Sequence, residues 1–220
     1  MSKAGKVVKI TLKTVLLGLS LFVYAFFMFR LCTSNDPKTM TKIVWNDINR
    51  AAYLAEPDAF EALDQEPQSY ITADGHFWIS NVVYLPQAKQ LQLTIKYNDS
   101  TKKALTQELE QQRAKTGADT SEPIVLPDEP FVFTLSDNNG TRYTASSITP
   151  YKKQNYNYRR LVFDGVDFTD GSGVTDAYAD IYYIDSMDDT KAPYGSLKAW
   201  DVKLETIEHN IKKELPNDLK

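Results

Sequence analysis

The longest apolar pattern in the chain lies near its start. From Thr14 to Phe29 every residue except Thr14, Gly18 and Ser20 is apolar or aromatic, and the run stops at Arg30. At about 1.5 Å of helix per residue this run alone falls short of a hydrocarbon core about 30 Å thick. Val7, Val8, Ile10 and Leu12 extend it backwards, and Lys9 and Lys13 can snorkel to the headgroups. The pattern predicts a cytoplasmic leader over 1–7 and a transmembrane signal anchor over 8–32. Lys3, Lys6, Lys9 and Lys13 precede any acidic residue, which places the N-terminus inside and the C-terminal portion outside. A cleaved secretory signal shares this layout, but only Cys32-Thr33-Ser34 offers small residues for cleavage, and Arg30 interrupts the approach. Phe29-Arg30-Leu31 is also a poor lead-in for a lipid-modified Cys32.

Beyond the anchor, Ile43, Val44, Ile48, Ala51, Ala52, Leu54 and Ala55 recur at helical spacing until Pro57, with a second short helix expected over Asp58–Leu63. Residues 33–70 therefore read as a helical stalk or a helix packed on the domain edge. From His76 the period changes to two. Phe77, Ile79, Asn81, Val83 and Leu85 are expected on one face of a first strand. Leu91, Leu93, Ile95 and Tyr97 follow on one face of a second, with Gln92, Thr94 and Lys96 opposite and Pro86–Lys89 as the hairpin connection. Thr101–Lys115 reads as a surface helix with Ala104, Leu105 and Leu109 as its apolar side, and the proline-dotted stretch to Pro130 as a loop. Strands resume at 131–135 and 142–145 around Asn139-Gly140, for which a type I′ turn is expected. They continue at 158–168, 177–184 and 197–207, the last with Trp200, Val202 and Leu204 inward.

These seven short strands predict a mainly β ectodomain over 71–208, an antiparallel sandwich carrying the insertion 101–130, with a tail over 209–220. The stretches Phe133–Tyr143, Leu161–Phe168 and Ala179–Tyr183 resemble the immunoglobulin-like sandwiches that bacteria place outside the membrane behind an anchor. They are similar in particular to the DUF4352-like pattern, in which a strand ends in an Asp-x-x-Gly turn before a Tyr strand. The resemblance spans Phe77 to Ile207, departs at 101–130, and implies a fold and a location but no catalytic residues.

Charge and cysteine content narrow the setting. Five of the 25 Lys and Arg residues lie at or before Arg30 and all 29 Asp and Glu lie after it, so the outer portion carries a formal balance of −9. That balance argues against nucleic acid as a partner. Cys32 is the one cysteine, so the ectodomain has no disulfide, which suits the outer face of a Gram-positive bacterium. Asn98-Asp99-Ser100 and Asn139-Gly140-Thr141 then read as chance glycosylation matches.

Two clusters carry candidate chemistry. Asp164, Asp167, Asp170 and Asp176 alternate with glycines in a loop that could offer oxygens to calcium, or simply be a polar turn. The run Tyr151, Lys152, Lys153, Tyr156, Tyr158, Arg159 and Arg160 reads as a partner-binding loop, in a chain with 13 tyrosines. Asp185, Asp188 and Asp189 read as a solvated hairpin tip. His76 and His209 have no neighbours in sequence that would make a zinc site or a nucleophile–base pair, and nothing points to a cofactor. The expected role is non-enzymatic: a single-pass membrane protein binding a protein partner or an envelope component, or serving as an accessory subunit of a membrane complex. An extracytoplasmic ligand or calcium sensor is the alternative, and an envelope hydrolase the least favoured reading.

Overall fold

The computed structural model describes residues 3–32, 37–66, 76–117, 122–153, 155–184 and 193–220, with side chains of the first segment described from Lys13 to Met28. The chain divides into two compact units, Met1–Pro37 and Lys38–Lys220.

The first unit contains the helix α1 (Lys3–Cys32). Among its described side chains the apolar ones stand exposed, for example Leu17 at 64% and Phe22 at 69%. Ser20 donates its hydroxyl to the carbonyls of Leu16 and Leu17 at 3.0 Å, which satisfies that hydroxyl within the helix. Among the described residues no helix is long and apolar enough to cross a membrane. The described side chains from Lys13 to Met28 cover about 24 Å of helix, less than a bilayer core.

The second unit is built on two antiparallel sheets. Its elements are α2 (Lys38–Thr41), α3 (Asp47–Ala55), β1 (Leu63–Gln65), β2 (Phe77–Leu85), β3 (Gln90–Asn98), α4 (Asp99–Thr116), β4 (Phe131–Asp137), β5 (Arg142–Thr144), β6 (Ser147–Lys153), β7 (Tyr156–Asp164), β8 (Asp176–Tyr183), β9 (Gly195–Asp201) and β10 (Thr206–Glu208). The larger sheet runs β10-β1-β2-β3-β7-β6 and the smaller β5-β4-β8-β9. One apolar core joins them: Phe77, Leu93, Ile95, Tyr97 and Phe163 from the first meet Phe131, Leu135, Ile181 and Trp200 from the second. The mainly β character, the β2–β3 hairpin and the helix in the insertion follow the sequence pattern. Asn98 caps α4 by accepting from the backbone of Ser100 and Thr101, and Leu105 buries its apolar side.

The helical spacing expected from Ile43 to Ala55 yields a helix only over α3 (Asp47–Ala55). Residues 42–46 are not helical, and tertiary partners take their backbone groups: Ile43 N–H donates to Glu214 Oε2 and Val44 N–H to Gln92 Oε1, both at 2.8 Å. Asn46 then starts α3 with a reciprocal capping box to Asn49. Asp58–Leu63 forms no helix and leads into β1, and Ile48 and Leu54 are exposed.

In β2 the expected face breaks between Ile79 and Asn81, where the register to β3 shifts by one residue. An extra residue in one strand reverses every later side chain. Val82 and Tyr84 thus join the inter-sheet core, while Val83 and Leu85 turn outward under Ile43, Phe60 and Ala62.

The expected strand 197–207 is two strands in different sheets. β9 ends at Asp201, the chain turns with Leu204 N–H donating to Asp201 O at 3.0 Å, and β10 joins the larger sheet beside β1. Val202 is exposed rather than inward.

At Asn139-Gly140 only Gly140 has positive φ, at 81°. The turn is a three-residue loop ending in a left-handed glycine, closed by Gly140 N–H to Asp137 O and by Asp137 N–H to Thr141 O. Asp137 Oδ1 also accepts from the N–H groups of Asn139 and Thr141, which fixes the turn without a second positive φ. With β1, β6 and β10 added, the described residues hold ten strands rather than seven.

Candidate binding face

The outer face of the larger sheet divides into a covered part and an accessible end. Over β2, β3 and β7 the segment 40–62 lies on the sheet and buries side chains that alternation would place in water. Gln90, Gln92, Thr94 and Arg160 are all at 1% exposure or less. Most of their polar atoms are satisfied by one another and by the backbone of Met40 and Val44, while Arg160 Nε is buried without a partner. Thr94 Oγ1 donates to Met40 O at 2.6 Å, and Gln92 Nε2 to Val44 O at 2.8 Å and Gln90 Oε1 at 2.6 Å. Asn49 Nδ2 donates to Gln90 Oε1 at 2.9 Å. Arg160 donates to Thr94 Oγ1 and Gln92 Oε1 at 3.1 and 3.3 Å. Burial pulls the Arg160 guanidinium down to about 10, against the carboxylates of Glu214 and Asp64, which hold it up.

At the other end of the same face the register places four side chains in one line across four strands. Trp78 of β2 pairs with Lys96 of β3, Lys96 with Tyr158 of β7, and Tyr158 with Tyr151 of β6. Tyr156, two residues along β7, completes the group. The Trp78 and Tyr156 rings meet edge to face at 6.2 Å, and the Tyr151 and Tyr158 rings at 6.3 Å. Between these pairs the Lys96 ammonium lies 4.4 Å from the Tyr156 centroid and 5.5 Å from that of Tyr158. Tyr158 is the buried floor, Trp78, Lys96 and Tyr156 are half-buried, and Tyr151 and Lys152 are exposed. β6 is an edge strand carrying Pro150, whose missing N–H blunts pairing with a further strand.

The partner-binding run predicted from sequence is thus divided. Tyr151, Lys153 and Tyr156 sit at this face, whereas Lys152 pairs with Asn157 and points to the opposite face of β6. Tyr158, Arg159 and Arg160 do not act as a surface loop, because β7 is an inner strand and buries all three. Arg159 faces the inter-sheet core, 5.5 Å from the Tyr97 ring, and its Nε donates to Glu129 Oε2 at 2.6 Å. Burial drives the Tyr97 phenol up to about 12, with Arg159 opposing. Trp78 and Lys96 were missed by sequence reasoning. Their signal lay in the β2–β3 register, which brings Lys96 between two aromatic strands.

The acidic loop does not gather its carboxylates. Asp164 Oδ1 accepts from Gln90 Nε2 at 2.6 Å. Asp167 pairs with Lys89 at 2.6 Å and accepts from Thr169, and these bonds hold it down at about 2. Asp176 pairs with Lys198 at 2.5 Å, which Asp201 shares, and both carboxyls are lowered chiefly by that lysine. Asp170 is exposed. Among the described residues no three His, Cys, Asp or Glu side chains could hold a metal ion together. Asp185, Asp188 and Asp189 lie outside the described residues.

His209 has convergent partners that its sequence position hid. Its Nδ1 is 2.8 Å from Asp64 Oδ2 of β1 and its Nε2 3.2 Å from Glu214 Oε2. The Asp64 hydrogen bond, foremost, raises its pKa against the opposing effect of burial. With both nitrogens facing carboxylates the imidazolium form is favoured, and in that form the ring has no lone pair to act as a base. Glu214 also accepts from Ile43 N–H, and its carbonyl accepts from Trp45 Nε1 at 3.1 Å, so the C-terminal tail is clasped to the 43–45 segment.

A further groove of about 350 Å³ lies between α4 and the end of β8, lined by Leu109, Gln112, Arg113, Thr116, Ile124 and Tyr183. No protein-family model, curated protein or solved structure matches the chain.

Proposed function

We propose that the chain is a non-enzymatic, single-pass membrane protein whose two-sheet domain, immunoglobulin-like in the resemblance drawn from sequence, faces outward and binds a protein partner or an envelope component. The line Trp78–Lys96–Tyr158–Tyr151 carries this reading. It joins large ring area to a cation on a rigid sheet, at an end of the face that the 40–62 segment does not cover. The anchor in this proposal is α1, supported by its uncovered apolar side chains and the lysines before them. The divided acidic loop gives no support to calcium sensing.

The test uses the full chain with a C-terminal tag in the host membrane. Wild type and a Tyr151→Ala variant are purified after mild crosslinking, and the C-terminal tag is probed with external protease on intact cells. A component recovered near stoichiometry with wild type and reduced about tenfold with the variant is expected, with the tag accessible from outside. Identical recovery with both proteins, or a tag protected on intact cells, would overturn the proposal.

A further inference from the structure

We infer that the C-terminal tail over residues 209–220 is a pH-operated latch. It stays closed on the segment 42–46 while the His209 ring is an imidazolium, and it lifts from that segment when the ring gives up its proton.

His209 is the point where the tail leaves β10, and its N–H donates to Ala62 O at 2.8 Å. Beyond that point Ile211 packs against the apolar cluster of Ile43, Phe60 and Leu85. The other ties to the strap are polar. Glu214 Oε2 accepts from Ile43 N–H, the Glu214 carbonyl accepts from Trp45 Nε1, and Asp218 pairs with Arg50 of α3. A terminal segment held by partly exposed polar bonds opens locally at lower cost than the sheet beneath it.

Around the His209 ring the charges balance only when it is protonated. Asp64 of β1 faces Nδ1 at 2.8 Å and Glu214 of the tail faces Nε2 at 3.2 Å. Arg160 of β7 lies within range of both carboxylates, which hold its charge up. The 42–46 segment brings Lys42, and the tail and its approach bring Glu208, Lys212 and Lys213, all four exposed to solvent that screens them. In the buried set, two carboxylates meet one guanidinium and one imidazolium. Loss of the ring proton leaves that set one negative charge in excess, beside an Asp64 Oδ1 already buried without a partner.

Hydrogen bonding points the same way. A neutral imidazole has a single N–H, so one of the two carboxylates must then face a lone pair. Asp64 cannot withdraw, because its strand is paired with β10 on one side and β2 on the other. Glu214 can, because it rides on the tail. Its departure takes the acceptors from Ile43 N–H and Trp45 Nε1 and leaves Val44 and Met40 to hold the strap on Gln92 and Thr94. The Asp64 hydrogen bond, against burial, raises the ring's pKa in the closed state. The latch is therefore fully closed below about pH 6.5 and opens as pH climbs through the closed-state value.

The test follows hydrogen–deuterium exchange of the full chain in detergent micelles from about pH 5.5 to about pH 9, each rate divided by the intrinsic rate at that pH. Protection of the tail peptide beyond His209 should fall several-fold across the series while the β3 peptide keeps its protection. His209→Gln should leave the tail weakly protected at every pH. If that variant fails to fold, Glu214→Gln replaces it: the amide can still accept from Ile43 N–H but takes one charge from the ring, so the opening midpoint should move to lower pH. Tail protection that is equal across the series, a loss shared equally by β3, or an unmoved midpoint in Glu214→Gln would each overturn the inference.

Discussion

His209 Nδ1 lies 2.8 Å from Asp64 Oδ2, a contact between residues at opposite ends of the folded unit. It closes β1 against the C-terminal tail, and Glu214 on the other nitrogen extends the closure to Ile43. The His209 pKa is raised above the ordinary histidine value of about 6.5, so the imidazolium binds its proton more tightly in the folded state. Its stabilising contribution is therefore full below about pH 6.5 and is lost as pH rises through the folded-state value. His209→Asn should lower stability by about 1–3 kcal/mol at pH 5.5 and by clearly less at pH 9. Thermal melts of both proteins at the two pH values check this; an equal loss at both would mean that the proton plays no part.

Gln92 is the hub of the buried polar layer, bonded to both backbone groups of Val44, to Gln90 and to Arg160. Gln92→Leu keeps the volume but strands the Val44 N–H and C=O away from water. A loss of about 2–4 kcal/mol is expected in urea denaturation, larger than for Gln87→Leu on the exposed hairpin connection. A loss below about 0.5 kcal/mol would show that water replaces the amide.

Calcium should leave the domain unmoved. Asp167 is held by Lys89 and Asp176 by Lys198, so an arriving cation would have to displace both lysines. The melting temperature should shift by less than about 1 °C at millimolar calcium, whereas a rise of several degrees would mean that the loop rearranges into a site.

Gly140 sits at φ 81° with open space where a Cβ would project. The cost of Gly140→Ala is thus backbone strain alone, about 1–2 kcal/mol. Gly140→Asn should cost less, because asparagine tolerates the left-handed region. Equal stabilities for the two variants in urea denaturation would contradict this account of the turn.

What the sequence made legible follows from where local pattern and burial agree. Leu91, Leu93, Ile95 and Tyr97 alternate cleanly and do face the core. The same alternation misplaced Val83 and Leu85, since a one-residue bulge carries no signature in residue type. Ile43 and Val44 fit a helical period, yet Glu214 and Gln92 claim their backbone groups from far along the chain. Arg159-Arg160 looked like surface because charged residues usually are, and only the positions of β7 inside the sheet and of the 40–62 segment over it bury them. At the binding face, Tyr151 and Tyr156 were visible as composition, but Trp78 and Lys96 joined them through strand register alone.

The most direct test of the binding face is site-specific photo-crosslinking in the host membrane. A photoreactive residue is placed at Tyr151, at Lys153, which pairs with Tyr156 on the same face, and at Leu54, which is 64% exposed on α3. Crosslinks to one shared species from positions 151 and 153, with none from 54, are the predicted result. Equal labelling from all three positions, or none from the β6 positions, would contradict the account.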